Sequence, residues 1–184
     1  QRLVQILGSS RWLTELLMRS PESVAMLADD DELKPRPVEQ LRTEFVTATA
    51  RQMSAAAAAD VVRGLRRREL LRIGAADLLG LMDVDAVGAA LSEVMSASID
   101  AVLRAATAQW EQEHGCELPT TLSIIGLGRY GGAELGYGSD ADVMFVHEPR
   151  EAFDGGPYGV SIHTSFTSSS RYAARFESNS SAGT

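Results

Sequence analysis

Apolar residues recur every three and four positions through the first two-thirds of the chain. Leu3, Ile6 and Leu7 share one helical face, and Leu13, Leu16 and Leu17 repeat the spacing after Ser9-Ser10, a serine pair suited to an N-cap. Ser20-Pro21 predicts another helix start, a serine cap with proline at the first helical position, running to about Asp29. Asp29 to Pro37 reads as an acidic loop punctuated by proline. Val38 to about Arg72 is rich in strong helix formers, with alanines from Ala55 to Ala59, and Ile73-Gly74 and Gly80 mark breaks. Val84, Val87, Leu91, Val94, Val102 and Trp110 then trace one face of a long amphipathic helix, with Gly115 as its C′ residue. The pattern predicts a helical bundle over residues 1–115, with Trp12 and Trp110 in its core.

The period changes at Pro119. Leu122-Ser123-Ile124-Ile125 is short, apolar and β-branched, as a buried strand is, and Val143-Met144-Phe145-Val146 reads as a second. A glycine-rich stretch, Gly126 to Gly138, joins them. After Arg150 the pattern is lost. Eleven of the last 34 residues are Ser or Thr, and no apolar period persists. Such a stretch buries too little to offset its ordering entropy, so residues 151–184 are expected to be a disordered or non-native tail. The fold class is therefore α+β: a bundle over 1–115, a small sheet over 116–150, and a tail.

Composition narrows the function. The 184 residues carry a formal charge of −8 and only 6% aromatics, which argues against a nucleic-acid partner and against an aromatic stacking platform. A single cysteine, Cys116, permits no intrachain disulfide, and His114, His147 and His163 lack ligand spacing. No run approaches the ~18 apolar residues of a membrane span, and the amino terminus lacks the pattern of a signal peptide. The expectation is a cytoplasmic protein without a membrane partner. Gln1 reads as an internal residue of something longer. Arg63, Arg66, Arg67, Arg68 and Arg72 form the densest basic cluster; it suits a solvated helix face, or a docking site for an acidic partner.

The glycine-rich stretch has two readings. Gly126-Leu127-Gly128-Arg129-Tyr130-Gly131 is a literal G-x-G-x-x-G after a strand, and Glu148 stands where a ribose-binding acid would in a dinucleotide site. That reading needs a crossover helix through Gly136 and Gly138, and each interior glycine costs about 1 kcal/mol against alanine. The other reading centres on Asp140-Ala141-Asp142. Residues two apart on a strand share a face, so both carboxylates project together, and a divalent cation such as Mg²⁺ relieves their repulsion. Gly131-Gly132 would let backbone N–H groups approach a triphosphate. A third alternative is a non-catalytic helical interaction module.

The run from Gly126 through Gly136-Tyr137-Gly138-Ser139-Asp140-Ala141-Asp142-Val143-Met144-Phe145 resembles the signature of the bacterial glutamine synthetase adenylyltransferases. These are two-headed enzymes of the polymerase-β-like nucleotidyltransferase superfamily. The wording from Glu134 to Asp140 is closer to the adenylylating half. The opening, Leu7-Gly8-Ser9-Ser10 to Ser20-Pro21-Glu22, resembles the helical region before that core, so the likeness spans roughly residues 1–149. It implies transfer of AMP from ATP to a tyrosine of glutamine synthetase, in the regulation of nitrogen assimilation. It also implies two Mg²⁺ ions on Asp140 and Asp142, nucleotide contacts from Gly131, Gly132, Ser139 and Arg129, and a nitrogen-signalling regulatory protein as a further partner.

One departure matters. The superfamily completes its metal site with a third carboxylate on a later strand, and no such strand is legible after Arg150. Asp154 falls in a Gly-Gly-Pro turn and Glu177 in a Ser-rich stretch, and neither matches the motif. The expectation is an incomplete nucleotidyltransferase core, truncated or altered in frame, with little activity by itself.

Overall fold

The computed structural model describes residues 1–150 and 173–175. Several of its helices begin where a side chain satisfies a free backbone donor. Helix α1 spans Arg2–Ser9 and α2 spans Arg11–Arg19, with the Ser10 hydroxyl accepting from Leu13 N–H at 3.2 Å. Pro21–Ala28 forms a 3₁₀ rather than the expected α-helix, and the Ser20 side chain makes no cap. The expected acidic loop contains a short helix α3, Asp30–Leu33, capped by Asp29.

The helix-forming stretch after Val38 divides in two. Helix α4 spans Val38–Thr49 and α5 spans Ala55–Leu78, the latter started by Ser54, whose hydroxyl accepts from Ala57 N–H at 3.2 Å. Gly74 does not break α5. A methyl there would stand 2.5 Å from Leu13 Cδ2, so the glycine lets α2 lie against the helix. Helix α6, Val84–His114, begins on Asp83 and ends at Gly115, whose φ of 66° is the left-handed cap that the sequence predicts.

Phe45, Leu71, Val94 and Ala97 lie in the core where α4, α5 and α6 meet. Trp12 is 36% exposed and Trp110 is half-buried and stacked on His114, so neither forms the centre of the bundle. By length and hydropathy alone, α6 could cross a membrane, contrary to the expectation of no such segment. Half of its apolar window is buried inside the bundle.

The basic cluster on α5 is largely consumed within the protein. Glu69 is 2% exposed and bonds Arg36 at 2.9 Å and Arg72 at 3.1 Å; Arg68 reaches Glu44 at 2.6 Å and Glu69 at 3.3 Å. Arg36 also pairs with Glu44, and Arg63 with Asp60. The network ties the segment before α4 to α4 and α5. Burial pushes the Glu44 carboxyl up, but hydrogen bonds from Arg68 and Arg36 outweigh it and hold the group below its ordinary value. A depressed folded pKa means that the unfolded chain takes up the proton first. The stabilisation is therefore complete above the ordinary carboxylate range and lost as pH falls through it toward the folded value. Urea unfolding of the parent and Glu44→Gln should differ near neutrality and converge below about pH 4. A constant difference down to acid pH would remove Glu44 from the linkage.

The sheet has the order β2-β1-β3, with β1 spanning Thr120–Gly126, β2 Val143–Pro149 and β3 Ala173–Arg175, all antiparallel. Strand β2 is not buried as its apolar run suggests. It lies at a sheet edge with Met144 39% and Phe145 63% exposed. Strand β3 pairs with β1 from within the stretch expected to hold no strand. The rest of the 151–184 tail, with Asp154, His163 and Glu177, lies outside the described residues.

Candidate functional site

Strand β1 delivers the chain into one turn of helix, α7, Gly128–Gly131. The turn is compact because of its glycines. A Cβ at Gly131 would stand 2.4 Å from Gly126 O, and one at Gly126 would meet the Tyr130 ring at 2.8 Å. Gly128, at φ 53°, lies under Asp142, whose Oδ2 would be 3.2 Å from a Cβ there. Gly131 N–H donates to Leu127 O at 2.9 Å and Gly132 N–H to Gly128 O at 3.0 Å. The expected use of these two amides as phosphate donors is thus opposed by their engagement within the turn. Ala133 closes it at φ 60°, with Glu134 N–H donating to Arg129 O at 2.8 Å. A left-handed alanine costs about 1 kcal/mol.

Helix α6 receives this turn along a stripe of small residues. Gly88 leaves room for the 133–134 backbone, since a Cβ there would be 3.1 Å from Glu134 Cα. The Ser92 hydroxyl donates to Gly88 O and accepts from Leu135 N–H at 3.4 Å. Ser96 donates to Ser92 O, so the Tyr130 phenol, 3.0 Å from Ser96 Oγ, is the donor in that pair. Tyr130 and Leu135 are buried. None of these contacts is legible from the glycine motif. The visible signal is the four-residue spacing of Gly88, Ser92 and Ser96, which reads at first as plain helix packing.

Strand β2 begins at Val143, so Asp140-Ala141-Asp142 is its approach rather than its first residues. The alternation still holds. Ala141 and Val143 pack against the core while Asp140 and Asp142 are exposed, and Asp142 O accepts from Leu127 N–H at 2.8 Å, extending the ladder beyond the Gly126–Val143 pair. Neither carboxylate has an ion-pair partner among the described residues. Ser139 closes the preceding loop, its hydroxyl accepting from Gly136 N–H at 3.0 Å, which leaves its own hydrogen to donate. Arg129 is exposed, and its guanidinium lies near Gly136, 4.0 Å from a Cβ built there.

Two exposed oxygen-rich groups without a cation suit a hard divalent ion. They do not complete a site, because no group of three or more acidic, histidine or cysteine side chains could hold a metal among the described residues. Two grooves, of about 800 Å³ and 480 Å³, lie along α4 and between α4 and α6, away from the aspartates. Neither groove is lined by the D-x-D, and it is the unpaired charges that single that segment out. The dinucleotide reading loses its footing, because β1 and β2 are antiparallel and joined by a single helical turn, whereas that site needs parallel strands and a crossover helix.

The whole chain, residues 1–184, matches the glutamate-ammonia ligase adenylyltransferase family. A bifunctional glutamine synthetase adenylyltransferase/adenylyl-removing enzyme of Streptomyces coelicolor is 45% identical over 166 residues, covering 82% of this chain and 16% of that relative. The enzyme of the same description from Nocardia farcinica is 46% identical over 158 residues, 84% of this chain and 16% of the relative. That of Mycobacterium leprae is 45% identical over 157 residues, 81% and 15%. The chain therefore spans about 16% of the length of the curated relatives it matches. With the family matched end to end and the signature glycines and aspartates gathered between β1 and β2, the chain belongs to the glutamate-ammonia ligase adenylyltransferase family.

Proposed function

We propose that residues 120–149 form part of a nucleotidyltransferase site that transfers AMP from ATP to a tyrosine of glutamine synthetase. The observation that carries the reading is the pair of exposed, unpaired carboxylates Asp140 and Asp142 on an extended segment held against α7. Family membership supplies the reaction class. Asp140 and Asp142 would hold two Mg²⁺ ions, which supply charge neutralisation and a lowered pKa for the attacking oxygen. The phenol oxygen forms a bond to the α-phosphorus and gives its proton to water, and the bond to pyrophosphate breaks. Ser139 donates its free hydroxyl hydrogen to a phosphate oxygen, and Arg129 offers a guanidinium from the same side of the loop. Gly131 and Gly132 serve by bringing the backbone close rather than by donating. A nitrogen-signalling protein as regulator and a cytoplasmic location belong to the same reading.

The test is ATP binding and AMP transfer to glutamine synthetase with and without Mg²⁺. Asp140→Asn and Asp142→Asn should each lower the Mg²⁺-dependent signal by on the order of a hundredfold or more. The folded signal should persist, because both side chains are exposed and free of structural partners. Metal dependence equal in parent and variants would sink the assignment.

A further inference from the structure

Between Leu135 and Asp142 the backbone has no regular structure, and its internal bonds close it only upon itself: Ser139 N–H to Gly136 O, and Gly136 N–H to the Ser139 hydroxyl. Gly138 meets nothing within 4 Å of where its Cβ would be. A loop with glycines on either side of position 137 has broad backbone freedom, so what holds it must be a side chain. Tyr137 is that side chain. Its hydroxyl donates to Asp77 Oδ2 at 2.9 Å, on the last turn of α5, and its ring lies 5.0 Å from the Trp12 ring on α2, tilted by 58°. A hydrogen bond to a carboxylate is about twice as strong as one between neutral groups, and a tilted aromatic pair adds its own preference.

We propose that Tyr137, gripped by Asp77 and Trp12, is a positioning residue that sets Ser139, Asp140 and Asp142 relative to the helical bundle, so that α2 and α5 control the geometry of the metal-binding loop. The inference rests on the reading of Asp140 and Asp142 as metal ligands. Its physical content is a polar tie in the middle of the loop. Leu135 is fixed by burial and by Ser92, Ala141 by packing against the core and Asp142 by its bond to Leu127, and residues 136–140 reach the bundle through Tyr137. Burial pushes the Tyr137 phenol up, and the Asp77 carboxylate adds to the shift, so the group remains a donor across the neutral range. Because its two partners sit on different helices, a slide of α2 against α5 would be felt at the aspartates.

The experiment uses the 184-residue chain with Tyr137→Phe, Asp77→Asn and Asp142→Asn. Amide exchange is measured over residues 136–142, and Mn²⁺ binding is read from the resonance of the free ion. Tyr137→Phe keeps the ring on Trp12 and loses the bond. It should raise exchange in the loop about tenfold while α6 amides keep the parent's rate, and weaken Mn²⁺ binding about threefold to tenfold. Asp77→Asn retains a neutral acceptor and should fall between the two, a graded rescue that a general loss of packing would not give. Unchanged loop exchange in Tyr137→Phe would overturn the tie. Raised exchange with the parent's Mn²⁺ affinity would overturn the positioning role. Equal Mn²⁺ binding by the parent and Asp142→Asn would instead remove the metal reading, and the exchange data would still decide the tie.

Discussion

Glu69→Ala is expected to cost about 3–5 kcal/mol of folding stability, the range seen when one partner of a buried ion pair is removed. Glu69 is 2% exposed and stands between Arg36, Arg68 and Arg72, of which Arg72 is itself buried on the same helix. Without Glu69 the guanidinium of Arg72 has no carboxylate within the network, and Arg36 keeps only Glu44. Desolvation of an unpaired charge then dominates, because Arg cannot shed its proton to avoid it. The double variant Glu69→Leu, Arg72→Met should recover part of the loss, since removing both charges also removes the desolvation penalty. Recovery should be incomplete, as Arg36 and Arg68 still lose an acceptor. Urea unfolding of the single and double variants decides it. A single variant within about 1 kcal/mol of the parent would show that water or rearrangement replaces the carboxylate.

The second large effect is expected at Gly131. An alanine methyl would lie 2.4 Å from Gly126 O and 2.9 Å from Gly126 C, both backbone atoms of β1. No side chain can swing away to admit it, so α7 must lift from the strand, at about 3 kcal/mol or more. The neighbouring Gly132 provides the contrast. Its nearest obstacle, Gly128 O, is at 3.5 Å, an ordinary contact, and its φ of −83° is one that alanine adopts freely. Gly132→Ala should therefore stay within about 1 kcal/mol of the parent, or gain slightly from reduced freedom in the unfolded chain. Adjacent glycines of one motif should differ widely in cost. Equal stability of the two variants would mean that the tight approach of α7 to β1 is not maintained in solution.

Local signals were the readable ones. The Ser10 cap and the left-handed Gly115 follow from single residues whose polar group or missing Cβ suits a helix end, whereas the Ser20 cap that the same signal predicts is not made. The strands and the turn between them were legible from β-branched runs flanking glycines, and the D-x-D from its place before β2. Gly74 misled because a glycine within a helix has the same appearance whether it ends the helix or admits a neighbour. Only Leu13, 61 positions away along the chain, tells which. Met144 and Phe145 misled in the same way, since an apolar run reports what a strand could bury and not whether a second layer covers it.

The sequence by itself determined the start of α2 and the end of α6, the two principal strands, the α+β order and the residues that carry the family signature, because each depends on properties of a few consecutive residues. Tertiary structure alone decided which glycines are crowded and how Tyr130 and Tyr137 attach the glycine-rich turn and the loop after it to α6, α5 and α2. It also decided that Arg68 and Arg72 of α5 face inward onto Glu44 and Glu69 and that the strands run antiparallel. Each of these depends on groups far apart in the chain meeting at van der Waals or hydrogen-bond distance, and no spacing along one segment encodes that meeting.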